Sequence, residues 1–149
     1  MKEIAVNGCR ECDHLSMRSR IAEALANYCH YFDGGDYDGL RGIFVNAASI
    51  ELGQSFSGSL DEFVLWAAEQ RRLGKQYSHH VTNMVVEENG SGGAVSSISA
   101  VSALVASDDF FFNDTATTEI YTDSWVRSGS CWRIKTRAYR PRITANLLG

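Results

Sequence analysis

The sequence predicts an α+β domain, and three observations carry that prediction. Apolar residues in the early part recur at helical spacing, with Ile21, Leu25, Tyr28 and Phe32 at i, i+4, i+7 and i+11. The later part is a series of runs rich in β-branched and aromatic residues, bounded by glycine-rich turns. The two kinds of pattern are segregated rather than alternating, which argues for helices packed on one face of a curved antiparallel sheet.

Each element has a local reason. Residues 1–15 lack periodicity and read as a loose lead-in, with the domain expected over 16–142 and a short tail at 143–149. The first helix begins near Ser16 and stops at Gly34-Gly35, since glycine takes the left-handed conformation that ends helices. Asp36 then caps a short second helix carrying Tyr37, Leu40, Ile43 and Phe44. A strand is expected over 47–52, followed by a Gly/Ser loop. Ser59-Leu60-Asp61-Glu62 is a capping box that opens a third helix bearing Phe63, Trp66, Ala67 and Gln70. Four strands follow in a meander, over about 77–88, 94–106, 117–127 and 131–140, the last two joined by Ser128-Gly129-Ser130.

Composition narrows the function classes. A chain of 149 residues with 14 basic and 18 acidic side chains has length for a real core and no basic stripe for nucleic acid. No apolar run reaches membrane-spanning length and the start is not a signal peptide, so a cytoplasmic protein with no membrane partner is expected. Cys9 and Cys12 have ligand-like spacing, but no second pair completes four ligands, so the reading is free thiols and no metal. Cys29 reads as a small core residue.

One strand carries the candidate chemistry. In Tyr77–Glu88, period-2 alternation puts His79, Val81, Asn83 and Val85 on one face and His80, Thr82, Met84 and Val86 on the other. A histidine and an amide among valines suggest a polar group set into an apolar wall. From residues alone, a hydrogen-bonded core histidine competes with a catalytic one. Trp125 and Trp132 read as packing anchors. Arg137, Arg140 and Arg142 read as a solvated strand end, with one arginine binding an acidic substrate group as the alternative.

Three stretches resemble the SnoaL-like branch of the nuclear transport factor 2-like fold, which includes scytalone dehydratase, bile acid 7-alpha-dehydratase and hexachlorocyclohexane dehydrochlorinase, with ketosteroid isomerases more distant. They are Ile21 and Tyr28–Asp38 with Leu40 and Phe44, the His79-His80-Val81-Thr82-Asn83 strand, and Tyr121–Arg127 with Gly129 and Trp132-Arg133-Ile134. The resemblance implies a cone-shaped sheet enclosing a small-molecule pocket, in a homodimer or homotrimer. It matches His79 and Asp33 to an Asp–His dyad and Tyr28 to a pocket tyrosine, with Asn83, Val81, Phe32, Trp66 and Trp125 expected along the pocket. Such a set supports elimination or isomerisation on a cyclic, mainly apolar molecule, without a cofactor. The alternatives are a non-catalytic ligand-binding or small-subunit module of the same fold and, less favoured, an epoxide hydrolase-like enzyme. The chain departs from scytalone dehydratase-like members in having no second histidine after His80.

Asn113–Thr122 coincides with the translation of a common sequencing-adapter oligonucleotide, AAT GAT ACG GCG ACC ACC GAG ATC TAC AC. The expectation is a foreign segment spliced into the frame, whose threonines still favour a strand. The adjoining Phe110–Phe112 would be an aggregation hazard if exposed.

Overall fold

A computed structural model describes residues 10–90, 93–107 and 115–146, with side chains over 13–90, 93–107 and 118–140. The order is α1 (Arg10–Gly34), α2 (Tyr37–Gly42), β1 (Phe44–Leu52), β2 (Phe56–Ser59), α3 (Leu60–Arg72), β3 (Lys75–Asn89), β4 (Ala94–Ser107), β5 (Thr115–Ser128) and β6 (Cys131–Asn146). The α+β class and the antiparallel β3–β6 meander stand as expected.

Boundaries and pairing differ in detail. Helix α1 starts at Arg10, ahead of the expected Ser16, and β6 runs to Asn146, past the expected end of the domain. Part of the Gly/Ser loop forms β2, which pairs antiparallel with β1. The six-stranded sheet, ordered β2-β1-β6-β5-β4-β3, is unclosed and mixed, because β1 runs parallel to β6. That pairing cannot be read from local pattern, since the two strands meet only after α3 and the whole meander intervene. Cys9, the side chain of Cys12 and Phe110–Phe112 lie outside the described residues.

Packing follows the amphipathic stripe. Ile21, Leu25, Tyr28 and Phe32 of α1 are buried with Phe44, Ile50, Phe63 and Ile134 in one core. Gly35, at φ +73, ends α1. The Asp36 carboxylate caps α2 by accepting from the Gly39 amide at 2.9 Å. At α3, Ser59 Oγ accepts from the Glu62 N–H (3.3 Å) while Glu62 Oε2 accepts from the Ser59 N–H (2.8 Å). Each helix is therefore stopped or started by its own residues, and this fixes where α1 delivers the end of its apolar stripe, next to β3. Among the described residues no helix is long and apolar enough to cross a membrane.

Candidate functional site

The end of α1 and the start of β3 come together at Asp33. Its carboxylate accepts two hydrogen bonds from one residue, from the His79 backbone N–H at Oδ2 (2.8 Å) and from His79 Nδ1 at Oδ1 (2.5 Å). The second bond assigns the Nδ1 proton, so Nε2 is the basic nitrogen in the neutral ring. Arg71 of α3 donates to the Asp33 carbonyl at 3.0 Å and ties the helix end to the next layer. The His79 side chain is 6% exposed and that of Asp33 23%.

Aromatic rings box the imidazole. Tyr77, two residues earlier on the same strand face, lies nearly parallel to it (centroids 5.8 Å apart, planes at 9°). Phe32 meets it edge-on at 5.1 Å and Tyr28 at 6.3 Å. His79, Tyr77, Phe32 and Tyr28 border a cavity of about 450 Å³, shared with Trp66 of α3 and Tyr121 of β5. Asp33 stands behind the histidine, on an outer groove of about 590 Å³ between α1 and β3.

A second charged pair lies beneath the tyrosines. Arg137 of β6, 1% exposed, forks onto Asp123 of β5, with Nε to Oδ1 at 2.7 Å and Nη2 to Oδ2 at 2.9 Å. Its Cζ sits 4.1 Å from the Tyr28 ring centroid and 4.2 Å from that of Tyr121. Among the described residues, Arg137 Nη1 has no hydrogen-bond partner. Burial opposes the guanidinium charge, but Asp123 outweighs it and holds the pKa above the usual range. Burial pushes Tyr28 up to about 12, with Arg137 pulling the other way and the Tyr121 hydroxyl hydrogen-bonded to it. Burial, reinforced by Glu119, also pushes Tyr77 up to about 12. Both phenols therefore stay protonated donors at neutral pH.

The residues expected at the pocket divide. Tyr28, His79, Phe32 and Trp66 border the cavity together. Asn83, Val81 and Trp125 do not. Asn83 is exposed at a β-bulge, where β3 register jumps from Thr82↔Ala100 to Val85↔Ile98 and Asn83 takes φ +52. The bulge also reverses the expected alternation, leaving Val85 53% exposed while Val86 is buried. Val81 packs against the core and faces the outer groove. Trp125 is buried elsewhere, its indole N–H donating to Ser97 Oγ at 2.8 Å.

Arg137 is not at a solvated strand end, contrary to expectation. A register shift between Ser124 and Trp125 puts Ile134 and Arg137 on the same inward side although they are three apart. The available signal lay one strand earlier, where Asp123 falls between Tyr121 and Trp125 at inward spacing. Among the described residues no group of three or more His, Cys, Asp or Glu is placed to hold a metal.

Fold and site together define a pocketed α+β protein with a part-buried Asp–His pair whose histidine borders the cavity. The SnoaL-like domain profile matches residues 13–138, and the chain belongs to that family. The fold is shared with LinA (TM-score 0.81, 19% identity, 95% of this chain and 96% of the other). It is also shared with a scytalone dehydratase-like protein from Novosphingobium aromaticivorans DSM 12444 (TM-score 0.80, 18% identity, 95% and 93%). ActVI-ORFA of Streptomyces coelicolor is similar at TM-score 0.69 and 13% identity, over 84% of this chain and 96% of the other. No curated protein sequence matches the chain.

Proposed function

We propose that this chain is a cofactor-independent lyase or isomerase acting on a cyclic small molecule, with His79 as general base and acid. The observation that carries the reading is the doubly hydrogen-bonded Asp33–His79 pair at the wall of an accessible cavity. Family membership and the dehydratase and dehydrochlorinase names of its structural neighbours support the reaction class.

Each residue has a definite task. Asp33 holds the imidazole in one tautomer and stabilises its charged form. His79 Nε2 takes a proton from carbon beside a carbonyl, and the carbonyl oxygen gains the negative charge. The Tyr28 hydroxyl donates to that oxygen, while the Arg137 charge beneath the ring lowers the energy of the anion. The imidazolium then returns its proton to a β-hydroxyl, which leaves as water, or to another carbon of the same ring system. The first outcome is elimination and the second isomerisation.

The cavity lining favours a more polar ligand than the mainly apolar one expected from the resemblance. Beside its aromatic rings it carries Lys75, Gln70, Glu119 and Ser55, so a mainly apolar ligand would strand polar groups against it. A polar, carbonyl-bearing ring fits better. Action in the cytoplasm and a homo-oligomeric state remain part of the proposal.

The test is hydrogen–deuterium exchange at the α-carbon of a panel of cyclic ketones in D₂O, followed by NMR. Wild-type protein is expected to catalyse exchange, and His79→Ala to slow it by about 10²–10⁴-fold. The melting temperature of the variant should stay within about 4 °C. Undiminished exchange in folded His79→Ala would remove His79 from the mechanism.

A further inference from the structure

Lys75, Tyr77 and His79 occupy alternate positions of β3, and all three border the same cavity. Alternation places them on one face, so the wall reads base, aromatic platform, cation, with about 13 Å from the Cα of His79 to that of Lys75. Lys75 Nζ donates to Gln70 Oε1 of α3 at 2.6 Å, and Gln70 borders the cavity as well. This bond uses the amide oxygen of Gln70, leaving its NH₂ group and the remaining ammonium hydrogens as donors side by side. Among the described residues no carboxylate forms an ion pair with Lys75.

The acid that shares the cavity belongs to another level. Glu119 of β5 pairs with Val101, which pairs with Val81, beyond His79 along β3 and away from Lys75. By register the Glu119 backbone lies past the histidine, although its charge still reaches Tyr77, and Lys75 stands at the start of β3.

We propose that the ligand of this site is a cyclic molecule carrying a carboxylate. The carboxylate sits on the Lys75–Gln70 donor pair, the ring lies against Tyr77, and the reacting carbon reaches His79. Lys75 and Gln70 then determine specificity and take no part in proton transfer. This assignment rests on His79 as the reacting base, but its test reads binding alone.

Isothermal titration with 2-naphthylacetate and its uncharged analogue 2-naphthylacetamide measures the preference directly. The acid is expected to bind the wild type about tenfold more tightly than the amide, in line with a charge-assisted hydrogen bond. Lys75→Met should bring the ratio to about 1, and so should Gln70→Glu, which keeps the lysine but sets a carboxylate beside it. If Lys75→Met does not fold, Gln70→Glu carries the test. His79→Ala should leave the ratio intact, so failure of the catalytic reading and failure of this one appear in different variants. Equal affinities in the wild type, no binding of the acid below millimolar concentration, or a preference that survives either cavity substitution would overturn the proposal.

Discussion

His79 and Arg137 are both bound to an aspartate and both in contact with the Tyr28 ring, yet the fold builds their surroundings differently. The His79–Asp33 pair joins a strand to a helix end 46 positions away, so its geometry depends on how α1 docks. The Arg137–Asp123 pair is a direct cross-strand neighbour in the β5–β6 hairpin, and its geometry depends on register. The first borders a cavity and leaves one ring nitrogen available among the described residues. The second is fully buried, with both side chains at 0% exposure. On the proposed reading, the pair that exchanges protons is the one left beside the cavity, and the pair that supplies a standing charge is the enclosed one.

The comparison breaks most sharply at the enclosed pair. Asp123→Ala leaves a buried guanidinium uncompensated and is expected to destabilise by about 3–5 kcal/mol, read as a large drop in the urea midpoint. Pairing Asp123→Leu with Arg137→Met should recover much of that stability while leaving activity depressed. A double variant with full activity would reduce Arg137 to a structural role.

Tyr28 sits between the two walls. Tyr28→Phe removes the proposed donor but keeps the ring packing, so exchange activity should fall by about 10²-fold with little change in melting temperature. Unchanged activity would separate Tyr28 from the chemistry.

The same residue predicts a pH signature. Its folded pKa, about 12, lies above the ordinary value of 10.0, so the unfolded chain loses that proton first as pH rises. The stabilisation is fully present below pH 10 and is lost as pH climbs toward 12. The loss should amount to roughly 2–3 kcal/mol. Unfolding midpoints measured across that window should fall less steeply in Tyr28→Phe than in the wild type.

The smallest effect belongs to the bulge that ends the His79 wall. Asn83 holds φ +52, a conformation open to asparagine or glycine and costly for a β-branched residue. Asn83→Gly should be near neutral and Asn83→Val should destabilise by about 1–2 kcal/mol. Equal stability of the two variants would show that the strand can straighten.

Local chemistry explains what was legible before the fold was known. The stripe of α1, the Asp36 cap, the Ser59–Glu62 capping box and the Gly129 turn are all written within a few residues, and each forms. His79 was legible because alternation holds up to Thr82, where the bulge begins. Asn83 was misplaced because a bulge inserts one residue and reverses every face beyond it. Arg137 was misplaced for the same reason, one bulge further along the sheet. Trp125 takes the packing role expected of it and not the pocket role, since a large aromatic on an inward face looks alike whether it meets a ligand or a serine. Within the adapter-like stretch, Tyr121 is buried against Tyr28 and Tyr139.

By itself, the sequence determined the glycine stop of α1, the caps of α2 and α3 and the α+β class, and its resemblance to the SnoaL-like family pointed to His79 and Asp33. Only the tertiary structure decided the parallel β1–β6 pairing, the enclosed Asp123–Arg137 fork and the Lys75–Gln70 end of the cavity. Helix caps and strand alternation are fixed by interactions within a few residues. Register across bulges, and the choice between a side chain facing solvent and one facing a cavity, depend on partners distant in sequence.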